Sequence, residues 1–282
     1  MNLFIQPSMR YKKMDIKNGW ERDSLRQENE TPDWFERNKW YIVLIGVLLI
    51  VSLVYCFPVS AQTITKKYDG VNRIRIDNSN SNELKQCDVF FCGGGFTVQN
   101  WSICNTWSSM SVADNHVSCR VGYSTSSPSL AAAERGIKDC ANAVKWIKNN
   151  WKTYGIDTNK IYLWGTSAGS FCALGVAYEH KIKVAGVING WGGILNVSYL
   201  SNSKVPVYNI STDIDKTVPI NCGTSFGVAC CGSQTIYNVL TGYGVKTDWL
   251  VFEGYNHGLL PKDSGYNLRV AGCYTMAKQF FK

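Results

Sequence analysis

Six short apolar runs recur between residues 88 and 254, and helix-like segments separate most of them. The runs are too uniformly apolar for a sheet with one solvent-facing side, so the strands that they predict are buried on both faces. Strands that alternate with helices favour right-handed crossovers and a largely parallel sheet with helices on both faces, an α/β fold. In chain order the runs are DVFFC, HVSCRV, KIYLW, KVAGVIN, VPVYNIS and DWLVFEG.

Helical patterns occupy three segments of the same region. Apolar residues repeat every three to four positions from Ile137 to Trp151, and Gly155 follows the end of that stripe. Residues 233–243 and 267–281 also fit helices. Before the first run, the alternating stretch NRIRIDN and the turn-rich NSNSNEL after it predict an early antiparallel hairpin arm. Because ligands bind at the carboxyl ends of strands in such sheets, functional residues are expected there.

The sequence from Trp40 to Phe57 contains no charged residue. An uncharged apolar run of about 18 residues predicts a membrane-spanning helix. Residues 1–39 are polar and lack periodicity, which predicts a flexible tail. We therefore expect a single-pass signal-anchor at 40–57, with the domain at 62–282 lumenal or extracellular. A cleavable signal peptide that ends near Ala61 is the alternative, and cleavage there would make the protein secreted.

Composition limits the classes of protein that the chain can belong to. It has 282 residues, of which 45% are hydrophobic and 18% charged, which is typical of one substantial globular domain with an appendage. The net charge of +8 is spread thinly, so we expect no nucleic-acid partner. An even number of cysteines follows the apolar run, which is compatible with disulfides, and Cys222, Cys230 and Cys231 are candidates for one bridge. Buried free thiols, such as Cys140 and Cys172, are the alternative.

The stretch KIYLWGTSAGSFCALG, residues 160–175, places small residues between a predicted strand and a predicted helix. A sharp strand-to-helix turn strains the residue at its apex, and side chains two positions to either side would collide with the neighbouring strand and helix. Gly165 and Gly169 relieve that crowding around Ser167. The serine is then exposed at a helix N-terminus, where free N–H groups favour a developing negative charge. The pattern predicts Ser167 as a nucleophile, and a glycine-rich structural turn is the alternative.

A nucleophilic serine needs a base, and the base needs an orienting carboxylate. Along the chain, this strand-turn-helix motif is followed first by the acid and then by the histidine. Asp213 and Asp215 lie just past a predicted strand, and His257 lies in a loop after the last predicted strand. The two other histidines are interpreted as structural, because His116 lies in a predicted buried strand and His180 at a helix end. His257 is therefore the candidate base, and either aspartate could be the acid.

Three consecutive glycines follow the first run, in DVFFCGGGF. Because they lack side chains, Gly93, Gly94 and Gly95 let backbone N–H groups approach a substrate oxygen, and the N–H of Ala168 would complete an oxyanion hole. A phosphate-binding loop is the alternative, but the segment lacks both a G-x-G-x-x-G spacing and a following Lys-Ser/Thr pair. No cluster of ligand-type residues predicts a metal or a cofactor.

Taken together, these segments resemble the α/β-hydrolase superfamily, in particular its esterase/lipase branch with a His-Gly-Gly-Gly loop. The resemblance runs from about Tyr68 to the C-terminus and rests on FFCGGGF, AAAERGIKDCANAVKWIKNNWKTYGIDTNKIYLWGTSAGS, VPVYNISTDIDKTVP and GYGVKTDWLVFEGYNHGL. It implies an α/β-hydrolase fold with a mostly parallel sheet.

The same resemblance implies a role for each site residue. It implies Ser167 as nucleophile, His257 as base, and the N–H groups of the glycine loop and Ala168 as the oxyanion hole. It favours Asp215 over Asp213 as the acid, because the family tends to place a Val-Pro pair three residues after its aspartate. Cys92 is a departure, since it stands where the loop histidine usually stands.

Only about thirty residues separate the apolar run from the first core strand, so we expect no large N-terminal cap and an open pocket. Phe96, Trp101 and Trp191 follow strand ends and are candidates to line it. The sequence therefore predicts a membrane-tethered serine hydrolase that cleaves a small-molecule, carbohydrate or lipid ester through an acyl-enzyme. The alternatives are a serine peptidase on the same fold and a catalytically silent binding module.

Overall fold

The computed structural model describes residues 63–282. The predicted tail at 1–39 and the predicted span at 40–57 lie outside the described residues. Among the helices of residues 63–282, none is both long enough and apolar enough to cross a membrane.

An eight-stranded sheet forms the centre of the described domain. In spatial order its strands are β1 (Ile64–Lys67), β2 (Arg73–Asp77), β4 (Val117–Val121), β3 (Lys85–Phe91), β5 (Ile156–Thr166), β6 (Gly186–Gly190), β8 (Val207–Thr212) and β11 (Thr247–Phe252). The six strands from β4 to β11 run parallel, whereas β1 and β2 pair antiparallel with their neighbours. Each parallel strand coincides with one of the apolar runs, so the prediction of a mostly parallel sheet is confirmed.

Helices cover the sheet and complete its core. Every residue of β3 from Cys87 to Phe91 is buried, so both faces of that strand are shielded from solvent. The α-helices are α1 (Ser102–Ala113), α2 (Leu130–Asn149), α3 (Trp151–Tyr154), α4 (Ala168–Leu174), α5 (Ser233–Gly242) and α6 (Tyr266–Phe280). On one side Trp107 Nε1 of α1 donates to the Val270 carbonyl of α6 at 2.8 Å, and elsewhere α2 packs against α4.

The predicted early antiparallel hairpin arm is present and is formed by β1 and β2. The NRIRIDN stretch forms β2, which pairs with β1 before it and with β4, while the turn-rich segment after it leads into β3. The alternation itself reflects a strand with one face in the core. Ile74 and Ile76 are fully buried, whereas Arg73 and Arg75 are exposed.

A second, three-stranded antiparallel sheet had no counterpart in the predicted strands. It consists of β7 (Gly193–Ile194), β10 (Val228–Gly232) and β9 (Cys222–Ser225), in that spatial order. β9 and β10 form a hairpin whose two-residue turn, Phe226 and Gly227, has φ values of 48° and 77°. Cys222 and Cys231 lie opposite each other on the two strands and form a disulfide, while Cys230 is a buried free thiol.

Candidate active site

Ser167 lies at the apex of the turn between β5 and α4, with a φ of 52°. A Cβ at Gly165 would lie 2.4 Å from the carbonyl oxygen of Gly169, and a Cβ at Gly169 would lie 2.0 Å from the carbonyl oxygen of Phe91. Both distances are far inside van der Waals contact, so neither position accepts a side chain. The predicted collisions are therefore present on both sides: α4 excludes a side chain at 165, and β3 excludes one at 169.

His257 lies between Ser167 and Asp215. Its Nε2 is 2.8 Å from Ser167 Oγ, and its Nδ1 is 2.7 Å from Asp215 Oδ2, both within hydrogen-bond range. The imidazole side chain is 19% exposed and the aspartate side chain 4%. The pair is thus largely withdrawn from water, while one edge of the ring faces the serine. The structure brings together the three side chains that the sequence predicts.

Asp215, rather than Asp213, contacts the histidine. Two backbone N–H groups, at 217–218, donate to Asp215 Oδ1 at 2.8 and 2.9 Å, and Oδ2 is left to His257. Asp213 is exposed, and its Oδ1 accepts the N–H of Gly254 at 2.8 Å. Both aspartates therefore stabilise loops, but only one of them reaches the imidazole.

Asn256 is a site residue that the sequence analysis missed. Its Oδ1 accepts the backbone N–H of His257 at 2.7 Å and that of Lys216 at 3.0 Å. One side chain thereby joins the loop that carries the histidine to the loop that carries the aspartate. The only signal in the sequence is an asparagine directly before the candidate base, which is too common to be decisive.

The glycine loop after β3 lies beside the serine. A Cβ at Gly93 would lie 3.2 Å from the Ser167 Cβ. Gly94 and Gly95 have φ values of 123° and 62°, a left-handed region that glycine adopts without strain. Within residues 63–282, the backbone N–H groups of Gly94, Gly95 and Ala168 have no hydrogen-bond acceptor. These three predicted donors are therefore available to an incoming oxygen.

Comparisons with known proteins bear on the fold of the chain. Residues 74–190, which include the glycine loop and the Ser167 turn, match the model of the BD-FAE family, a family of α/β-hydrolases. The structure of Thermogutta terrifontis esterase 2 phosphoramylated by tabun is 19% identical, with 77% of this chain and 93% of that chain covered and a TM-score of 0.62. The chain has the α/β-hydrolase fold.

Two further structures give the same result for the α/β-hydrolase fold. A hyperthermophilic esterase from the archaeon Pyrobaculum calidifontis is 17% identical, covers 88% of this chain and 94% of its own, and has a TM-score of 0.60. An arylesterase is 15% identical, with 89% of this chain and 99% of that chain covered and a TM-score of 0.58. No curated protein matches the chain significantly. The resemblance to α/β-hydrolases that the sequence predicts is confirmed.

A tyrosine supports the glycine loop next to Cys92, the residue that stands where the resemblance implies a histidine. Cys92, which replaces the histidine, is fully buried, and burial raises the pKa of its thiol well above the usual range. The Tyr123 hydroxyl donates to the Cys92 carbonyl at 2.8 Å. Tyr123 is 1% exposed, and its ring packs against that of Phe96 in the loop. Tyr123 therefore anchors the junction between β3 and the loop.

The remaining histidines lie outside the site. His116 Nδ1 is 2.9 Å from Asp88 Oδ2, and the buried Asp88 also accepts hydrogen bonds from Ser111 and from the Trp164 indole. His180 is half-buried at a helix end, where burial and two nearby lysines lower its pKa. Within residues 63–282, no three His, Cys, Asp or Glu side chains converge as metal ligands would.

Two cavities of different size meet at Ser167. The small cavity has a volume of about 40 Å³, whereas the large cleft has about 510 Å³ and includes His257 in its wall. Gly95, Pro128, Ser167 and Phe226 line both and so form the boundary between them, to which Phe226 contributes an aromatic ring. Apolar side chains dominate the small cavity, among them Phe96, Ala133, Phe171, Leu195, Val218 and Val228.

The three aromatic residues that the sequence predicts to line the pocket lie in three different cavities. Phe96 lines the small cavity, and Trp191 lines the large cleft. Trp101 lines neither, because it faces a separate cavity on the other side of the glycine loop. Phe226 was missed, since it belongs to the hairpin that the apolar pattern did not reveal.

We expect Tyr123→Phe to lower the free energy of unfolding by about 1–3 kcal/mol, because the buried Cys92 carbonyl loses its donor while the ring is retained. Chemical denaturation of the full chain measures this change. Tyr243→Phe is the matched control, since Tyr243 is exposed and its hydroxyl makes no hydrogen bond with a described residue, so it should leave stability unchanged. Equal stability of the two variants would show that the hydroxyl does not support the loop.

Proposed function

We propose that the chain is a serine hydrolase that cleaves carboxylic esters through an acyl-enzyme. Ser167 is the nucleophile, His257 the base and Asp215 the orienting acid. The observation that carries the proposal is a single imidazole within hydrogen-bond distance of both the hydroxyl and the carboxylate. The esterases among the similar structures support it, because they have the same fold.

The geometry suits each step of ester cleavage. Ser167 Oγ bonds to the ester carbonyl carbon as its proton passes to His257 Nε2, and the electron pair of the C=O bond moves to the oxygen. Hydrogen bonds from Gly94, Gly95 and Ala168 stabilise that oxyanion, and each such donor contributes about 3–4 kcal/mol. The C–O bond to the alcohol then breaks, and the imidazolium protonates the leaving oxygen. Water attacks the acyl-enzyme by the same route and releases the acid.

The two cavities differ in which half of the ester they can accept. The leaving oxygen must receive its proton from His257 Nε2, so the alcohol occupies the large cleft, whose wall contains that residue. The acyl group then occupies the small, apolar cavity, which His257 does not line. At about 40 Å³ against about 510 Å³ for the large cleft, the small cavity has room only for the smaller part of the ester. The preferred substrates are therefore esters with a short acyl group and a larger alcohol.

Substitutions at the triad test the chemistry. We expect Ser167→Ala to abolish covalent labelling by a fluorophosphonate and to lower ester hydrolysis by at least about 10³-fold. Asp215→Asn should lower kcat by about 10³–10⁴-fold, because the amide no longer holds the imidazole in the required tautomer. Asp213→Asn is the matched control, since an amide oxygen still accepts the Gly254 N–H, and its activity should stay within about twofold of the parent.

Two results would contradict ester cleavage. Labelling of Ser167 without turnover of any ester in an acyl-length series would indicate amide hydrolysis by a serine peptidase. A folded chain that takes up no fluorophosphonate would indicate a catalytically silent binding module.

Substitution of Phe226 tests the assignment of the small cavity. Phe226→Ala removes the ring at the boundary of the two cavities, so relative kcat/KM for hexanoyl and octanoyl esters should rise at least about tenfold against the acetyl ester. Val98→Ala is the control, because Val98 lines the large cleft only and should leave the acyl preference unchanged. A parent enzyme that prefers octanoyl to acetyl esters would refute the assignment.

The catalytic domain of the proposed enzyme is tethered through 40–57 and is lumenal or extracellular. The Cys222–Cys231 disulfide supports this location, because such bonds persist in oxidising compartments. Protease treatment of sealed membrane vesicles from expressing cells measures the topology: the domain should resist digestion inside microsomes and be digested on intact cells. Digestion in sealed microsomes would place it in the cytosol.

A further inference from the structure

A third cavity lies on the opposite side of the glycine loop from the active site. It has a volume of about 260 Å³. Residues 99, 101 and 105 line it, whereas their neighbours at 98, 100 and 103 line the large cleft. We call it the arginine cleft, after Arg73, Arg75 and Arg120, which line it together with Gln99, Trp101 and Asn105.

Sheet register brings the three guanidinium groups together. Arg75 of β2 lies directly opposite Arg120 of β4, and Arg73 is two residues away on the same face of β2. Like charges opposite each other on adjacent strands destabilise a sheet. The arrangement therefore has a cost in stability that the fold itself does not require, since exposed positions of a strand accept neutral polar residues.

Only one of the three arginines is neutralised within the described residues. Arg120 Nη2 is 2.8 Å from Asp77 Oδ2, and its Nη1 donates to Asn105 Oδ1 at 3.0 Å. Its Nε is buried and has no hydrogen-bond partner. Arg73 and Arg75 are exposed and form no ion pair with any carboxylate of residues 63–282. The cleft thus has two unpaired positive charges and a third that is held in a fixed orientation.

The other walls supply a different kind of contact. Trp101 is half-buried and offers a large apolar surface, and Gln99 and Asn105 carry amide groups. Guanidinium groups bind carboxylates and other oxyanions through paired hydrogen bonds. The site is concave and slightly smaller than the pockets that bind drug-sized ligands. A single sugar residue with an acidic group fits a cavity of this volume. Its carboxylate would bind the guanidinium groups, its ring the apolar face of Trp101, and its hydroxyls the amides.

We infer that the arginine cleft binds an acidic sugar, with its carboxylate on Arg73, Arg75 and Arg120 and its ring against Trp101. The inference is independent of the chemistry at Ser167, because no residue of the cleft belongs to the proposed triad or oxyanion hole. A chain inactive toward esters would still bind the sugar.

Calorimetric titration of the full chain in detergent tests this inference, with glucuronate, glucose and acetate as probes. Glucuronate should bind saturably and more weakly as salt rises, because ions screen the guanidinium groups. Glucose lacks the charge and acetate lacks the ring, so each should bind at least about tenfold more weakly.

The double variant Arg73→Gln/Arg75→Gln should lower glucuronate affinity by at least about tenfold. Lys145→Gln/Lys160→Gln is the matched control: it removes the same charge from two exposed positions outside the cleft and should leave affinity unchanged. Circular dichroism of each variant establishes that the fold is retained.

Several outcomes would overturn the inference. If glucuronate does not bind, or binds no better than glucose, the inference that the cleft recognises an oxyanion is wrong. If acetate binds as tightly as glucuronate, the cleft binds small anions in general, and the inference that it recognises a sugar is wrong. An equal loss in the lysine variant would indicate general charge attraction. If glucuronate does not bind but the arginine variant weakens association with phosphatidylglycerol vesicles, the cleft is a membrane-facing surface.

Discussion

One close contact between backbones positions most of the candidate site. Because 165 and 169 carry no side chains, the start of α4 approaches both the end of β5 and the Phe91 carbonyl of β3 to distances that a Cβ would prevent. Phe91 lies two residues before the glycine loop. The contact that sets the place of the Ser167 hydroxyl therefore also sets the place of the N–H groups of Gly94 and Gly95. A nucleophile and its oxyanion donors are held in register by one packing constraint rather than by two separate loops.

The histidine and the aspartate depend on hydrogen bonds instead of close packing. Asp215 uses one carboxylate oxygen for two backbone N–H groups and the other for the imidazole, so its buried charge has three donors. Asn256 then joins the two loops, because its side chain accepts the N–H of His257 and that of Lys216, which follows Asp215. Since the loops are connected to each other, a movement of one carries the other with it. The pair can thus keep its geometry while the loops stay near the surface.

The parts of the site that were predictable are those set by local sequence. The Ser167 turn follows from steric rules over five residues, whereas the order of serine, acid and histidine comes from the motif and the choice of Asp215 over Asp213 from the resemblance to α/β-hydrolases. Tyr123 was not predictable, because its hydrogen bond to the Cys92 carbonyl joins positions 31 residues apart with no shared pattern. The membrane span remains a prediction, since it lies outside the described residues.

The β9–β10 hairpin was also not predicted, and the reason is again physical. Its strands, CGTS and VACCG, are short and lack the apolar alternation by which strands are recognised, and its turn is Phe-Gly rather than Asn-Gly. A disulfide and pairing with β7 stabilise it in place of a hydrophobic face. Cross-strand contacts thus define the segment that borders the small cavity, which is why the sequence did not reveal that the pocket is divided into two cavities.

The loop between β3 and α1 separates the large cleft, which contains the candidate catalytic residues, from the positively charged arginine cleft. Its residues alternate between the large cleft and the arginine cleft, so a movement of the loop would alter both. Trp101, at the end of the loop, directly precedes α1, whose Asn105 binds Arg120. Because Arg120 is also held by Asp77 of β2, this contact ties the end of the loop to the sheet on the side remote from Ser167. The loop that carries the proposed oxyanion donors is therefore held at its start by Tyr123 and beyond its end by the hydrogen bond between Asn105 and Arg120.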